Sequence, residues 1–262
     1  MNRRRLAILA VACGLLLVSS TQAGIAGAER SQTGNLIVSL DAEMTPRTLP
    51  RTGKAPVSTR FSTSFATSDG SRLPRLRRMA VVIGGRGQFD TSLTKCRVAR
   101  IRNTTATQAL RACGSALVGH GRMEAQLFLP GQRPIGFEGR ILVFNAVAED
   151  GAPLLIADVH SKAPPVSFLM SFRIHPIPDA SASALVANLS AGGRRTHVRQ
   201  FEMTLGRRFE KDGRMHSFVN AACPAPRGFT SFPFTFAEAT YDFAGGKSLS
   251  TSVIRSCRVR GA

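Results

Sequence analysis

The sequence predicts a mainly β protein, either an antiparallel β-sandwich or an open barrel, with one short helix near residues 104–112. Apolar and polar residues alternate over many short segments, as expected of strands that bury one face. Turn signals containing glycine separate these segments. Of the 262 residues 43% are apolar, which is enough to fill a core and argues against a disordered chain.

The alternation is clearest in two segments. In residues 57–65, Val57, Phe61 and Phe65 fall on one face and serines on the other; residues 166–174 repeat the pattern with Phe168 and Phe172. Further strands are expected at residues 79–83, 116–118, 123–128, 140–147, 154–160, 184–189, 199–205, 216–219, 234–243 and 248–255.

Turn signals and one capping signal delimit these elements. The turn signals are Ser68-Asp69-Gly70, Gly84-Gly85, Pro130-Gly131, Asp150-Gly151, Asp212-Gly213 and Gly245-Gly246. Many short strands at such intervals favour an antiparallel architecture over an alternating β–α one. Thr104 or Thr105 can cap the short helix, and a change of phase near Ala237 indicates a bulge in the strand around it.

Residues 1–28 predict a secretory signal peptide. Three arginines from Arg3 precede an apolar run over residues 6–18, and cleavage is expected after Ala23 or Ala28. Twin-arginine export and a lipid anchor at Cys13 are alternatives, but no transmembrane segment is expected after processing. Residues 29–262 are predicted to form a single β-rich domain; the alternative is two β units divided near residues 129–135.

Four cysteines remain after the signal peptide, as expected of an exported chain with disulfides. They allow three pairings. We favour Cys96–Cys113 with Cys223–Cys257, because these bonds close the shorter loops. No Cys-x-x-Cys pair is present, so neither a zinc ribbon nor a thioredoxin-like redox site is supported.

Several motifs resemble those of uncharacterised secreted, β-rich proteins of soil actinobacteria that contain disulfides. They are Cys96 with residues 104–110, Cys113-Gly114-x-Ala116-Leu117-Val118-Gly119-x-Gly121, Leu129-Pro130-Gly131-Gln132-x-Pro134, and Thr204-Leu205-Gly206-Arg207-Arg208 followed by Cys223-Pro224-Ala225-Pro226. The resemblance covers most of the mature chain and implies export and a β fold. It implies no activity and no catalytic residues.

The best candidates for catalysis are Asp158 and His160, which share a face if their segment is a strand. The simpler interpretation is two polar groups on a solvated strand face. No second metal-ligand pair accompanies them, and nucleophile-elbow and phosphate-loop motifs are absent from the sequence. We therefore expect a protein that is not an enzyme and binds no metal or cofactor.

Basicity gives the remaining functional signal, because 35 basic residues face 16 acidic ones and 30 of the 35 are arginine. Guanidinium groups bind carboxylate and phosphate in a bidentate manner. We expect a secreted or envelope-associated, non-catalytic protein that associates with anionic cell-wall or membrane-surface polymers and not with nucleic acid. The candidate anion-binding residues are Arg75, Arg77, Arg78, Arg97, Arg100 and Arg102.

The alternative to anion binding is carriage of an apolar ligand in a cavity lined by phenylalanine. Its candidate lining is the alternating series Phe232, Phe234 and Phe236. The chain has no Trp and one Tyr, which argues against binding sugars by aromatic stacking.

Overall fold

The computed structural model describes residues 28–84, 86–177, 182–189, 195–211 and 213–261. The predicted signal peptide lies outside the described residues, except for Ala28, and so do Cys13, Gly85 and Asp212 of the motifs above.

Within these ranges the chain forms eighteen strands and one α-helix, so the prediction of a mainly β fold with one short helix is confirmed. The helix α1 spans Ala106–Cys113, between 3₁₀ turns at Val98–Arg100 and Gly114–Ala116. The strands are β1 (Glu29–Thr33), β2 (Leu36–Thr45), β3 (Thr48–Leu49), β4 (Ala55–Thr67), β5 (Leu76–Ile83), β6 (Gln88–Phe89), β7 (Cys96–Arg97), β8 (Leu117–Leu127), β9 (Ile135–Val147), β10 (Pro153–Lys162), β11 (Pro165–Ile177), β12 (Ala182–Asn188), β13 (Thr196–Leu205), β14 (Arg208–Lys211), β15 (Arg214–Ser217), β16 (Val219–Ala221), β17 (Ser231–Phe243) and β18 (Ser248–Val259).

Most strands belong to one large, curled sheet, so the architecture is a half-barrel and not a two-sheet sandwich. Its order is β1, β2, β4, β13, β8, β9, β10, β11, β12, β5, β17, β18, β3. Neighbours are antiparallel except β3 beside β18, and β7, which adds to β9 in parallel. β14 and β15 form a separate ribbon. Strands that precede residues 129–135 in the chain and strands that follow them are interleaved in this sheet, as where β13 lies between β4 and β8.

The concave side of the sheet holds the main core. In β4 the odd-numbered residues point inward, including Phe61 and Phe65, as the alternation predicts. Phe65 packs edge-on against Tyr241 of β17, with ring centroids 5.1 Å apart. β17 carries the expected bulge between Thr235 and Ala237. Gly84 lies against this bulge, where a Cβ atom would overlap the carbonyl oxygen of Thr235.

A smaller core lies on the convex side, where α1 and β7 cover β9 and β10. Leu142, Phe144 and Ala146 of β9 face this layer, so the middle of β9 is buried on both faces. The helix starts at the cap residue Thr105, which exchanges hydrogen bonds with Gln108 in a capping box.

The structure contains both disulfides that the sequence analysis favours. Cys96 and Cys113 join the two ends of the convex layer, with Cα atoms 5.5 Å apart. Cys223 and Cys257 join the loop after β16 to β18, with Cα atoms 5.7 Å apart. Disulfides of this kind are typical of an oxidising compartment.

The described residues contain no helix long and apolar enough to span a membrane.

Candidate anion-binding groove

A chain of alternating charges runs from the place where the two ends of the sheet meet toward the middle of the sheet. Arg255 of β18 donates to the Asp41 carboxylate of β2 at 2.7 Å. Arg60 of β4 lies between Asp41, at 3.7 Å, and Glu202 of β13, at 2.8 Å. Glu202 also accepts from Arg122 of β8 at 3.1 Å. The two arginines hold the pKa of Glu202 below its usual value, the hydrogen bond from Arg60 being the largest cause.

The alternation ends at Arg122. In the register of β8 and β9, Arg122 lies directly opposite Arg140, and Arg140 lies directly opposite His160 of β10. Within the described residues Arg140 forms no ion pair with a carboxylate. Like charges at directly opposed positions of adjacent strands destabilise a sheet, because neighbouring strands are only about 4.8 Å apart.

This basic row, defined as Arg122, Arg140 and His160, lines an open groove of about 810 Å³. Lys162 and Arg199 also line the groove. Arg199 is the extra residue of a bulge in β13, where Val198 pairs with Ala125 and Gln200 with Glu124. Bulges commonly redirect one side chain, and this one leaves Arg199 exposed beside the row.

Two acidic residues reduce the positive charge of the groove. Glu124 and Glu138 also line it and lie opposite each other on β8 and β9. The arginine and lysine side chains of the lining therefore outnumber its carboxylates by four to two. A second groove of about 590 Å³, which includes His120, shares Arg140 with the first and extends toward α1.

Asp158 and His160 lie at the edge of this groove and on one face of β10, as the sequence predicts. His160 Nε2 is 2.8 Å from Asp158 Oδ2. The interpretation of both as groups on a solvated face is wrong for Asp158, which is 1% exposed because Leu142 and Leu169 flank it on adjacent strands. Burial raises the pKa of Asp158, and attraction to His160 opposes the rise.

Neither facing atom of this pair, Asp158 Oδ2 or His160 Nε2, makes an aligned hydrogen bond to any described residue. A catalytic site built on the pair would need a third polar group that orients or receives the proton, and the hydrogen bonds of the described residues include none to either side chain. Nor do the described residues contain a group of three or more His, Cys, Asp or Glu side chains that could hold a metal ion.

The first predicted arginine cluster lies elsewhere in the sheet, on and before β5. Arg78 pairs with Asp242 of β17 at 3.3 Å, which occupies part of its charge. Arg77 is exposed beside it, whereas Arg75 is half-buried and its carbonyl accepts a hydrogen bond from the backbone of Ala244.

The second predicted cluster belongs to the convex layer. Arg97, Arg100 and Arg102 are exposed. Residues 98–100 form a 3₁₀ turn, so Arg100 and Arg102 do not lie on one face of a strand. β7 adjoins β9, and three strands separate β9 from β5 in the sheet, so the two clusters are not adjacent strands of one surface.

The described residues leave little space on the concave side for the Phe-lined cavity that a carrier of an apolar ligand would need. A cavity bounded by Phe61, Phe172, Phe201 and Tyr241 has a volume of about 10 Å³, which is about the space of one water molecule at most. Phe236 is part of the main core, and Phe232 and Phe234 pack against it.

None of Arg122, Arg140, Lys162 and Arg199 is among the anion-binding residues predicted from the sequence. Arginine-rich stretches predict clusters of residues that are close in sequence, whereas the basic row is formed by residues on three different strands. The even spacing of Arg122 with Glu124, and of Glu138 with Arg140, was the available signal that these residues share a face.

Comparisons with family models, with curated proteins and with solved structures find no match to this chain.

Proposed function

We propose that the protein is an exported, non-catalytic binding protein that holds an anionic polymer of the cell envelope in the groove over β8, β9 and β10. The observation that carries the proposal is the direct opposition of Arg122 and Arg140, next to His160, where the alternating charge chain ends. An anionic group lying over the row would take the place of the missing carboxylate.

The chemistry of the row suits carboxylate or phosphate groups. A guanidinium group presents several N–H donors in a plane and binds either anion through two parallel hydrogen bonds. Arg122 is already oriented by Glu202, so less side-chain freedom is lost when it binds. Lys162 and Arg199 extend the positive charge along the groove, which fits a ligand with repeated anionic groups better than a single small anion.

The proposed location rests on the leader and on the disulfides. Arg3 and the apolar residues 6–18 have the pattern of an export signal, and both disulfides need an oxidising compartment to persist. An anionic envelope polymer is a ligand of that compartment.

Binding of the purified mature protein to three immobilised polymers tests the proposal. Polyphosphate and polyglutamate supply the two anion types, and dextran is the uncharged control. We expect binding to at least one polyanion and none to dextran. Binding should weaken strongly between about 0.1 M and 1 M salt, as the Debye length falls from about 10 Å to 3 Å.

Paired variants locate the site. Arg122→Gln with Arg140→Gln should weaken polyanion binding by about 100-fold, at roughly tenfold for each charge-assisted contact. Arg100→Gln with Arg102→Gln is the matched control, since it removes the same charge from exposed positions of the convex layer. Equal losses in the two double variants would mean that net charge, not the groove, holds the polymer.

A further inference from the structure

The groove contains one positive charge that depends on a proton. His160 keeps 15% of its side chain exposed and lines the groove, while its Nε2 atom is buried against Asp158. Asp158 is 2% exposed at the side chain, and its Oδ2 atom has no aligned hydrogen-bond partner among the described residues. A buried carboxylate without a partner is costly, and a protonated imidazole 2.8 Å away would supply one.

The charged neighbours of His160 oppose one another. On its own strand, Asp158 favours protonation and Lys162, two residues along on the same face, opposes it. Across the sheet Arg140 faces it from β9 and also opposes protonation, while Ser167 faces it from β11 and carries no charge. Arg122 and Glu138 lie one position farther, with opposite signs. An anion over the basic row would tip this balance toward the protonated ring.

We propose that His160, positioned by Asp158, is a third anion contact of the groove that acts when protonated, so that ligand binding draws a proton onto the Asp158–His160 pair. This inference rests on the proposed function, because it concerns the same site and the same class of ligand. Binding and protonation are then linked reciprocally: acid strengthens binding, and the ligand strengthens proton uptake.

When the pH falls from neutral to acidic and the Asp158–His160 pair takes up a proton, it changes from a buried carboxylate beside a neutral ring to an ion pair. The groove then gains one positive charge. Asp158 is thus a positioning residue that holds the ring and compensates its charge, whereas His160 touches the ligand.

The test measures the affinity of the mature protein for dextran sulfate, whose sulfate groups stay ionised throughout. Measurements at about pH 5 and about pH 8 span the interval over which imidazoles change charge. We expect binding about tenfold tighter at the lower pH, the effect of one added charge-assisted contact. Titration calorimetry in buffers of different ionisation enthalpy should show proton uptake on binding.

Three variants assign the effect. His160→Gln should bind with the same affinity at both pH values, and Asp158→Asn should reduce proton uptake. His120→Gln is the matched control, because His120 is an exposed histidine on the same face of β8 as Arg122 and lines the neighbouring groove. It should keep the full pH dependence.

The outcomes separate this inference from the proposed function. If His160→Gln keeps the pH dependence of the wild type, or if the wild type takes up no proton, the role of His160 is refuted while the groove stands. If the Arg122→Gln, Arg140→Gln double variant binds dextran sulfate as the wild type does, the groove itself is refuted. The proton measurement on the wild-type protein decides the question even where a variant fails to fold.

Discussion

Replacing Arg255 with Gln should weaken the protein at the place where the two ends of the curled sheet meet. β18 approaches β1 and β2 there without forming a backbone ladder with either. Arg255 bridges the gap: its Nε donates to the carbonyl oxygen of Ala42 at 2.9 Å and one Nη to Asp41 at 2.7 Å. The residue is 9% exposed, so water cannot readily replace these partners.

The magnitude follows from the bonds that are lost. Two hydrogen bonds from a charged group contribute roughly 1.5–3 kcal/mol each, which gives about 3–6 kcal/mol. Asp41 keeps Arg60 as a partner at 3.7 Å and is partly exposed, so the lower end applies. We expect the free energy of unfolding to fall by about 3 kcal/mol, or roughly 6–12 °C in Tm for a chain of this size. The free energy of unfolding of Arg255→Lys should lie between those of the wild type and Arg255→Gln, because an ammonium cannot match both acceptors.

Urea unfolding followed by circular dichroism measures the effect. Arg258→Gln is the control, since Arg258 is on the same strand and exposed. If Arg255→Gln loses no more than about 0.5 kcal/mol, the usual range for surface substitutions, and matches the control, Arg255 does not hold the two ends together.

Three further predictions concern stability. Cys223→Ala with Cys257→Ala should lower the free energy of unfolding by about 3–4 kcal/mol, the chain-entropy value for their separation of 34 residues, and an unchanged urea midpoint would contradict it. Gly121→Ala should cost about 1–3 kcal/mol, because a Cβ atom would overlap a carbonyl oxygen of β13, whereas Gly136→Ala, with open space around it, serves as the control. Burial raises the pKa of Asp158 in the folded state, so the contribution of this group to stability is present below about pH 4 and is lost as the pH rises through the folded pKa. The free energy of unfolding of Asp158→Asn should therefore increase relative to that of the wild type over this pH range. A difference between the two proteins that stays constant with pH would refute this.

Most of the long strands could be predicted from the sequence. Every predicted strand falls in a strand or overlaps one, as residues 57–65 do in β4. The strand Leu36–Thr45 was missed, although its even-numbered residues from Leu36 to Met44 are buried in strict alternation. The first three residues, Leu-Ile-Val, obscure the alternation, because Ile37 is buried on the opposite face.

The closure of the sheet and the composition of the groove depend on register, which the sequence does not reveal. Spacing along β10 puts Asp158 and His160 on one face, and this much was predictable. That Asp158 lies between two leucines, and His160 beside Arg140, follows from pairing with β9 and β11. The bulge that turns Arg199 outward is likewise a property of two strands together.

An excess of arginine does not by itself identify a binding site in this protein. With 35 basic and 16 acidic residues, 35 − 16 = 19 basic residues have no carboxylate of their own, so an unpaired Arg140 would be unremarkable alone. What distinguishes the groove is that scarce carboxylates form an ordered chain up to Arg122, and that the next two positions across the sheet are again basic or titratable. A carboxylate at position 140 would have continued the chain and stabilised the sheet. The buried Asp158 lies one row away, where it contacts His160 and leaves the open face positive. At the groove, therefore, the alternation of charges stops and the basic row is left without a carboxylate between its members. This is the expected arrangement where an external anion neutralises the row.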